Sequence, residues 1–151
     1  MPANRDPIPP AFMIFGAAGL LPPLALVLMM LLDPGSLAVP ALYAVTLVYG
    51  ALILSFIGGA WWGFAAREER VSAWVLALAV TPTLVGLGLL LVTARYPLAG
   101  GLALALAVAA SPLLDLQMRR RGLAPSWWLK LRVPLSLALA SLVAVAASFA
   151  R

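Results

Sequence analysis

The 151-residue chain contains no cysteine, no histidine and only five acidic residues. Without cysteine it has no disulfide or thiolate chemistry, and without histidine it lacks the commonest general base and metal ligand. Four of the five carboxylates lie near the N-terminus or in short connections, so Asp115 is the one acidic side chain within a long apolar run. We therefore expect no catalytic residue, no metal site and no cofactor, and an enzyme is the least favoured class of function.

Charge of either sign is scarce, since 10% of the residues are charged and 64% are hydrophobic. A soluble domain needs more charged surface than this to stay dispersed. Several apolar runs exceed the roughly 18 residues that indicate a membrane-spanning helix, and the alternating pattern of a membrane barrel is missing. The sequence predicts an all-α integral membrane protein, one domain of five transmembrane helices over about residues 10–32, 40–66, 71–92, 98–117 and 128–150.

The second predicted span has no internal proline, whereas the first contains Pro22 and Pro23, the third Pro82 and the fourth Pro112. Proline removes a helical hydrogen bond and frees the carbonyl four residues earlier, which for Pro22 is that of Ala18. A freed carbonyl needs another partner in lipid, so these breaks should face protein. We expect the second span to be central, with the broken helices around a small internal cleft.

The basic residues are distributed unevenly between the two ends of the predicted spans. Eight of the ten fall on the side of the N-terminus, and the positive-inside rule then places the N-terminus in the cytoplasm and the C-terminus outside. The first apolar run lacks a cleavage pattern, and an organellar transit segment is missing, which favours a bacterial inner membrane. The eight residues are Arg5, Arg67, Arg70, Arg119, Arg120, Arg121, Lys130 and Arg132.

Small residues in the second span predict close helix packing. Gly58, Gly59 and Gly63 lie on or beside one helical face with Ser55 and Trp62, and the spacing of Gly59 and Gly63 lets another backbone approach. The simpler interpretation is a packing seam against the first or third span, and the functional alternative is a narrow cleft for an apolar ligand.

Tyr49 lies on a different, bulkier face of the second span, near the middle of the membrane. A phenolic hydroxyl in that position needs a hydrogen-bond partner. The carbonyls freed near Pro22 or Pro82 are the candidates.

Asp115 is a functional candidate because it is ionisable within a predicted span. Arg119 lies four residues later on the same helical face, and an interfacial ion pair between them is favoured over a proton relay. Arg132 is a competing partner that would connect the fourth and fifth spans beneath the ring of Trp127.

The triplet Arg119, Arg120 and Arg121 is predicted to bind anionic lipid at the cytoplasmic face, at about 1 kcal/mol per charge near the surface. Membrane topology already accounts for these charges. A nucleic-acid partner has little support.

Three segments resemble a known family: Gly19–Pro22, Tyr49–Gly63, and Asp115 together with Pro125–Arg132. They are similar to the domain of unknown function 3429 family, which includes bacterial proteins and the mitochondrial transmembrane protein 69. The likeness covers nearly the whole chain and implies the membrane fold but no established activity. The recurring positions of the family that the resemblance implies are Tyr49, Ser55, Phe56, Gly58, Gly59, Trp62, Gly63, Asp115, Trp127 and Arg132.

The leading hypothesis is a non-enzymatic membrane module that binds an apolar or amphipathic partner, such as a lipid, a quinone-like molecule or another membrane protein. Trp62, Trp127, Asp115 and Arg132 would line or connect its cytoplasmic mouth. The alternative is a small transporter or proton-coupled carrier that uses Asp115. The two hypotheses differ in whether the carboxylate itself is needed for activity.

Overall fold

The computed structural model describes residues 7–69 and 72–150, in which the regular secondary structure is entirely α-helical. Five helical segments are long and apolar enough to cross a membrane, which confirms the predicted all-helical, multi-pass class. The first of these segments is divided in two. The helices are α1 (Pro10–Ala18), α2 (Leu21–Leu32), α3 (Val39–Ala65), α4 (Ala73–Arg95), α5 (Pro97–Arg120) and α6 (Trp128–Ala147).

The ends of the later helices differ from the predicted spans. The third span was predicted to begin at Val71, which lies outside the described residues, and α4 extends to Arg95 rather than residue 92. α5 continues to Arg120 instead of ending near residue 117, while α6 ends at Ala147, before residue 150. α4 and α5 extend past their apolar runs to Arg95 and Arg120, because a helix can continue through the membrane interface on its own backbone hydrogen bonds.

The first span is broken at Gly19 and Leu20, between α1 and α2. Pro23 has no backbone N–H, so the carbonyl of Gly19 loses its usual helical donor. The hydroxyl of Tyr49 donates to that carbonyl at 2.5 Å. The expected link between Tyr49 and the proline break is therefore present, but the acceptor is the carbonyl freed by Pro23 and not that of Ala18.

The other internal prolines leave their helices continuous. Pro82 and Pro112 lie within α4 and α5, which contradicts the predicted breaks in the third and fourth spans. Side chains replace some of the missing backbone bonding. The hydroxyl of Ser111 donates to the carbonyl of Val108 at 2.8 Å, and this is the carbonyl four residues before Pro112.

α3 is the central helix, as expected. It contacts α2, α4, α5 and α6. In its most apolar stretch of 18 residues, 44% of the residues are buried, which is the largest share among the five spans. Its buried residues recur at spacings of three and four, which is the pattern of a helix packed along one side.

The glycines of α3 divide into one that packs and two that do not. A Cβ at Gly58 would overlap the backbone carbonyl oxygen of Ala79 in α4, so the backbones of the two helices approach closely at this position. A Cβ at Gly59 or at Gly63 would meet nothing within 4 Å. The predicted packing seam against the third span therefore exists at Gly58, and the packing role predicted for Gly59 and Gly63 is wrong.

Candidate functional site

A buried carboxylate cluster closes one end of the bundle. Asp115 in α5 has 0% exposed surface. Its Oδ1 accepts hydrogen bonds from the indole Nε1 atoms of Trp61 and Trp128, each at 2.7 Å, and its Oδ2 accepts from Nε of Arg132 at 3.2 Å. These four side chains join α3, α5 and α6, and we call them the Asp115 cluster.

The cluster forms because two helices each present a polar pair with a spacing of four residues. Ser111 and Asp115 lie one turn apart on α5, and Trp128 and Arg132 lie one turn apart on the facing side of α6. Nη2 of Arg132 donates to the hydroxyl oxygen of Ser111 at 3.2 Å. The hydroxyl of Ser111 donates its hydrogen bond to the carbonyl freed by Pro112, so its oxygen can still accept one from the guanidinium.

Arg132, and not Arg119, is the partner of Asp115. The ion pair joins Nε of Arg132 to Oδ2 of Asp115 at 3.2 Å, with both side chains at least nine-tenths buried. Arg119 is exposed. The favoured interfacial pair within one helix is therefore wrong, and the competing connection between the fourth and fifth spans is present.

The tryptophans that reach Asp115 are neighbours of the predicted ones. Trp62 is 50% exposed, whereas Trp61 is fully buried. Trp127 packs against Phe12 of α1 with ring centroids 4.8 Å apart and against Trp128 at 6.0 Å, so it covers the cluster from outside. The predicted roles of Trp62 and Trp127 next to the carboxylate pass to Trp61 and Trp128.

A signal for Trp61 was present in the sequence. The apolar positions Leu47, Leu54, Ile57 and Trp61 continue one stripe at spacings of seven, three and four, and all four are buried. The prediction gave more weight to the face that carries the glycines, and this choice placed Trp62 inside. Apolar periodicity was the better guide here.

Two other predicted site residues have their hydrogen bonds elsewhere. Tyr49 donates to Gly19, as described above. The hydroxyl of Ser55 pairs with that of Thr83 in α4 at 2.8 Å, where it supports the seam near Pro82. The structure therefore separates the predicted set into the Asp115 cluster and two contacts between neighbouring helices.

Both carboxylate oxygens of Asp115 accept hydrogen bonds from other side chains of the cluster. Among the described residues, no buried side-chain nitrogen or oxygen lacks a partner. Within residues 7–69 and 72–150, no group of three or more His, Cys, Asp or Glu side chains could hold a metal ion. The carboxylate of Asp115 is fully enclosed, and its three donors come from α3 and α6.

A cavity lies at the other end of the bundle. It has a volume of about 640 Å³ and lies among the connection between α2 and α3, the start of α3, the end of α4 and the segment after α6. Tyr43 and Trp61, which mark the two ends of α3, are 18 residues and so about 27 Å apart along the helix axis. We call this space the main cavity.

The sequence model of a family described as a protein of unknown function (DUF3429) matches residues 8–148, which include all six helices. The chain belongs to the domain of unknown function 3429 family. The resemblance inferred from the sequence motifs is thereby confirmed. No curated protein and no solved structure matches the chain.

This member of the domain of unknown function 3429 family also has basic side chains around the end that holds the Asp115 cluster. The guanidinium of Arg121 lies over the ring of Trp74, 4.0 Å from its centroid, which ties the segment after α5 to the first turn of α4. Arg119 and Arg120 are exposed. Three arginines thus lie at the surface within a single turn.

Proposed function

We propose that this protein is a non-enzymatic membrane module that binds an apolar or amphipathic molecule, such as a lipid, in the main cavity. The observation that carries the proposal is a partly open space with a volume of about 640 Å³, lined by mostly apolar residues. Ligand sites in proteins commonly have volumes of about 300–1,000 Å³ and few polar groups. The proposed site is therefore at the end opposite the tryptophans, and not at the cytoplasmic mouth that the sequence had suggested.

The polar groups that line the main cavity are already bonded within the protein. The hydroxyl of Tyr43 donates to the carbonyl of Pro97 at 2.6 Å, and that of Thr93 donates to the carbonyl of Leu89 at 2.8 Å. The hydroxyl oxygen of Ser36 accepts from the N–H of Ala38. A ligand would therefore meet a surface that makes few polar demands, which favours hydrocarbon over a charged or strongly hydrated group.

The burial of Asp115 supports a structural role for that residue rather than a role in transport. A carboxylate that carries protons must exchange with water or with another titratable group, and the oxygens of Asp115 accept from two indoles and one guanidinium instead. The proposal thus assigns the Asp115 cluster to holding the bundle closed at one end while the other end accommodates the ligand.

We propose further that the protein lies in a bacterial inner membrane with its N-terminus in the cytoplasm. The support is the positive-inside rule, since eight of the ten basic residues fall on the side of the N-terminus. Of these eight, Arg5 and Arg70 lie outside the described residues, as does Arg151 on the other side. The exposed Arg119 and Arg120 would then meet anionic lipid at the cytoplasmic face.

A pair of variants in α4 tests the main cavity. Ala94→Phe adds a ring to the lining, and Ala77→Phe adds the same ring to an exposed position of the same helix that does not line the cavity. Native mass spectrometry from gentle detergent should detect a small molecule bound to the wild type and to Ala77→Phe, and much less on Ala94→Phe. Equal retention by all three proteins, or no bound molecule on the wild type, would contradict the proposal.

A further inference from the structure

A second, smaller space touches the Asp115 cluster from the side. It has a volume of about 130 Å³ and lies where the break between α1 and α2 faces α3 and α6. Arg132 and Ser136 of α6 supply its polar surface, and Phe15 and Phe56 lie at its edge. We call this space the Arg132 cleft. It is separate from the main cavity and shares no lining residue with it.

The guanidinium of Arg132 has donors that the protein does not use. Its side chain is 9% exposed, and Nε and Nη2 donate to Asp115 and Ser111. Nη1 makes neither of these bonds, and among the described residues no buried side-chain nitrogen is left without a partner. Nη1 must therefore have accessible surface, and Arg132 is one of the residues that line the cleft.

The charge around these donors favours a neutral acceptor. Asp115 already balances the charge of Arg132, and its carboxylate is fully buried and does not line the cleft. An incoming anion would meet a pair without net charge and would also give up its hydration to enter an apolar cleft. A carbonyl oxygen accepts the same hydrogen bond at a smaller desolvation cost.

The remaining surface of the Arg132 cleft fits an apolar group. Phe15 and Phe56 are exposed aromatic residues on α1 and α3, and Ile53 and Leu139 line the interior. The hydroxyl of Ser136, whose distance to that of Ser111 is 3.5 Å, adds a second polar group one turn from Arg132. One end of the cleft thus offers donors, and the rest offers hydrocarbon and ring surface.

We propose that the Arg132 cleft binds a carbonyl oxygen of an uncharged membrane amphiphile, with Nη1 of Arg132 as the donor. Two sources share this chemistry: the ring carbonyl of a quinone and the ester carbonyl of a glycerolipid. The site does not depend on the main cavity. It gives Arg132 a binding role in addition to its bond to Asp115.

Binding is measured with the full-length protein in nanodiscs of ether-linked lipid, which contain no ester carbonyl, and decylubiquinone is the probe. We expect saturable binding of one molecule, weakened about tenfold or more by Ser136→Leu, which fills the cleft and removes a hydroxyl. Ser141→Leu places the same side chain at an exposed position on the same helix and should bind like the wild type.

A second pair of variants tests the Arg132 cleft independently, in case Ser136→Leu does not fold. Phe56→Ala removes an exposed ring from the edge of the cleft, and Leu52→Ala shortens an exposed side chain one turn earlier on α3 that does not line it. Phe56→Ala should weaken binding several-fold and Leu52→Ala should not.

Competition separates the two sources and the alternative of an anion. Weaker decylubiquinone binding in ester-lipid nanodiscs, or displacement by methyl laurate, identifies the ester carbonyl as an occupant. Unchanged binding in both identifies the quinone carbonyl. Stronger competition by laurate than by methyl laurate, absence of saturable binding, or equal binding by the cleft variants and their controls would overturn the proposal.

Discussion

The carboxylate of Asp115 accepts the hydrogen bonds that connect α5 to Trp61 of α3 and to Trp128 of α6, so the Asp115 cluster depends on this one side chain. Oδ1 serves both indoles and Oδ2 serves Arg132. A buried ion pair contributes little compared with an apolar replacement of both partners, but loss of one partner leaves the other charge uncompensated. The cluster therefore tolerates almost no change at this residue.

Asp115→Asn should lower the stability of the folded protein by roughly 3–5 kcal/mol. The amide can still accept from one side, but its NH₂ group would face a donor of Arg132 or of the indoles, and the guanidinium would lose its counter-charge. Thermal unfolding in detergent and the amount of protein in the membrane measure the loss.

Asp33→Asn is the matched control, since Asp33 is exposed in the connection after α2. It should change neither quantity. If Asp115→Asn accumulates and unfolds like the wild type but loses a transport activity in vesicles, the structural role assigned to Asp115 is wrong and the transporter hypothesis is favoured.

Part of this cluster could be predicted from residue types alone. A lone carboxylate and an arginine near the same end of neighbouring spans are expected to form an ion pair, because an unpaired charge is costly in a low dielectric. Asp115 and Arg132 form this pair. The choice between Trp61 and Trp62 was harder. Adjacent helical residues point about 100° apart, and the apolar stripe of α3 favours Trp61 while its glycine face favours Trp62, so the sequence carries two competing signals.

At the scale of the helix, one glycine of α3, and not the whole small-residue motif, makes the close backbone contact with α4. α3 and α4 meet at Gly58 and Ala79, while the face with Gly59 and Gly63 is open. The sequence indicated that α3 would pack closely but left open which of two adjacent glycines does so. That choice depends on how α4 lies across α3, and no residue of α3 determines it.

Gly58→Ala should destabilise the protein by about 1–3 kcal/mol, because the added methyl group overlaps a backbone carbonyl that cannot move without shifting α4. Gly59→Ala is the control on the next residue. It adds the same methyl group to open space and should be neutral or slightly stabilising, since alanine favours a helix over glycine by about 1 kcal/mol.

The two variants are compared by thermal unfolding in the same detergent. Similar unfolding temperatures for both proteins would show that α3 and α4 do not approach as described.

At the scale of the molecule, five spans separate the two ends of the chain, and the lack of cysteine makes the arrangement directly measurable. Leu37, in the connection between α2 and α3, is 99% exposed, and Glu69, after α3, is exposed as well. Leu37→Cys and Glu69→Cys each introduce a single thiol into a background without any other.

A membrane-impermeant maleimide should label Leu37→Cys in intact cells and Glu69→Cys only after the membrane is opened, if the basic end is cytoplasmic. The reverse pattern would contradict the proposed orientation. Labelling of both thiols in intact cells would contradict the assignment of α3 as a complete span.

The partners of Asp115 also impose an order on biosynthesis. Trp61 precedes Asp115 by 54 residues, but Trp128 and Arg132 follow it by 13 and 17. During synthesis α5 therefore reaches the membrane with an acidic side chain whose counter-charge has not yet been made. The cost is about 2.5–3.5 kcal/mol for a carboxylate at the centre of a span and smaller for Asp115, which lies near the end of α5. We expect α5 and α6 to enter the bilayer as a pair, and a chain that stops after Gly122 should be degraded faster than the full-length protein in a pulse-chase experiment.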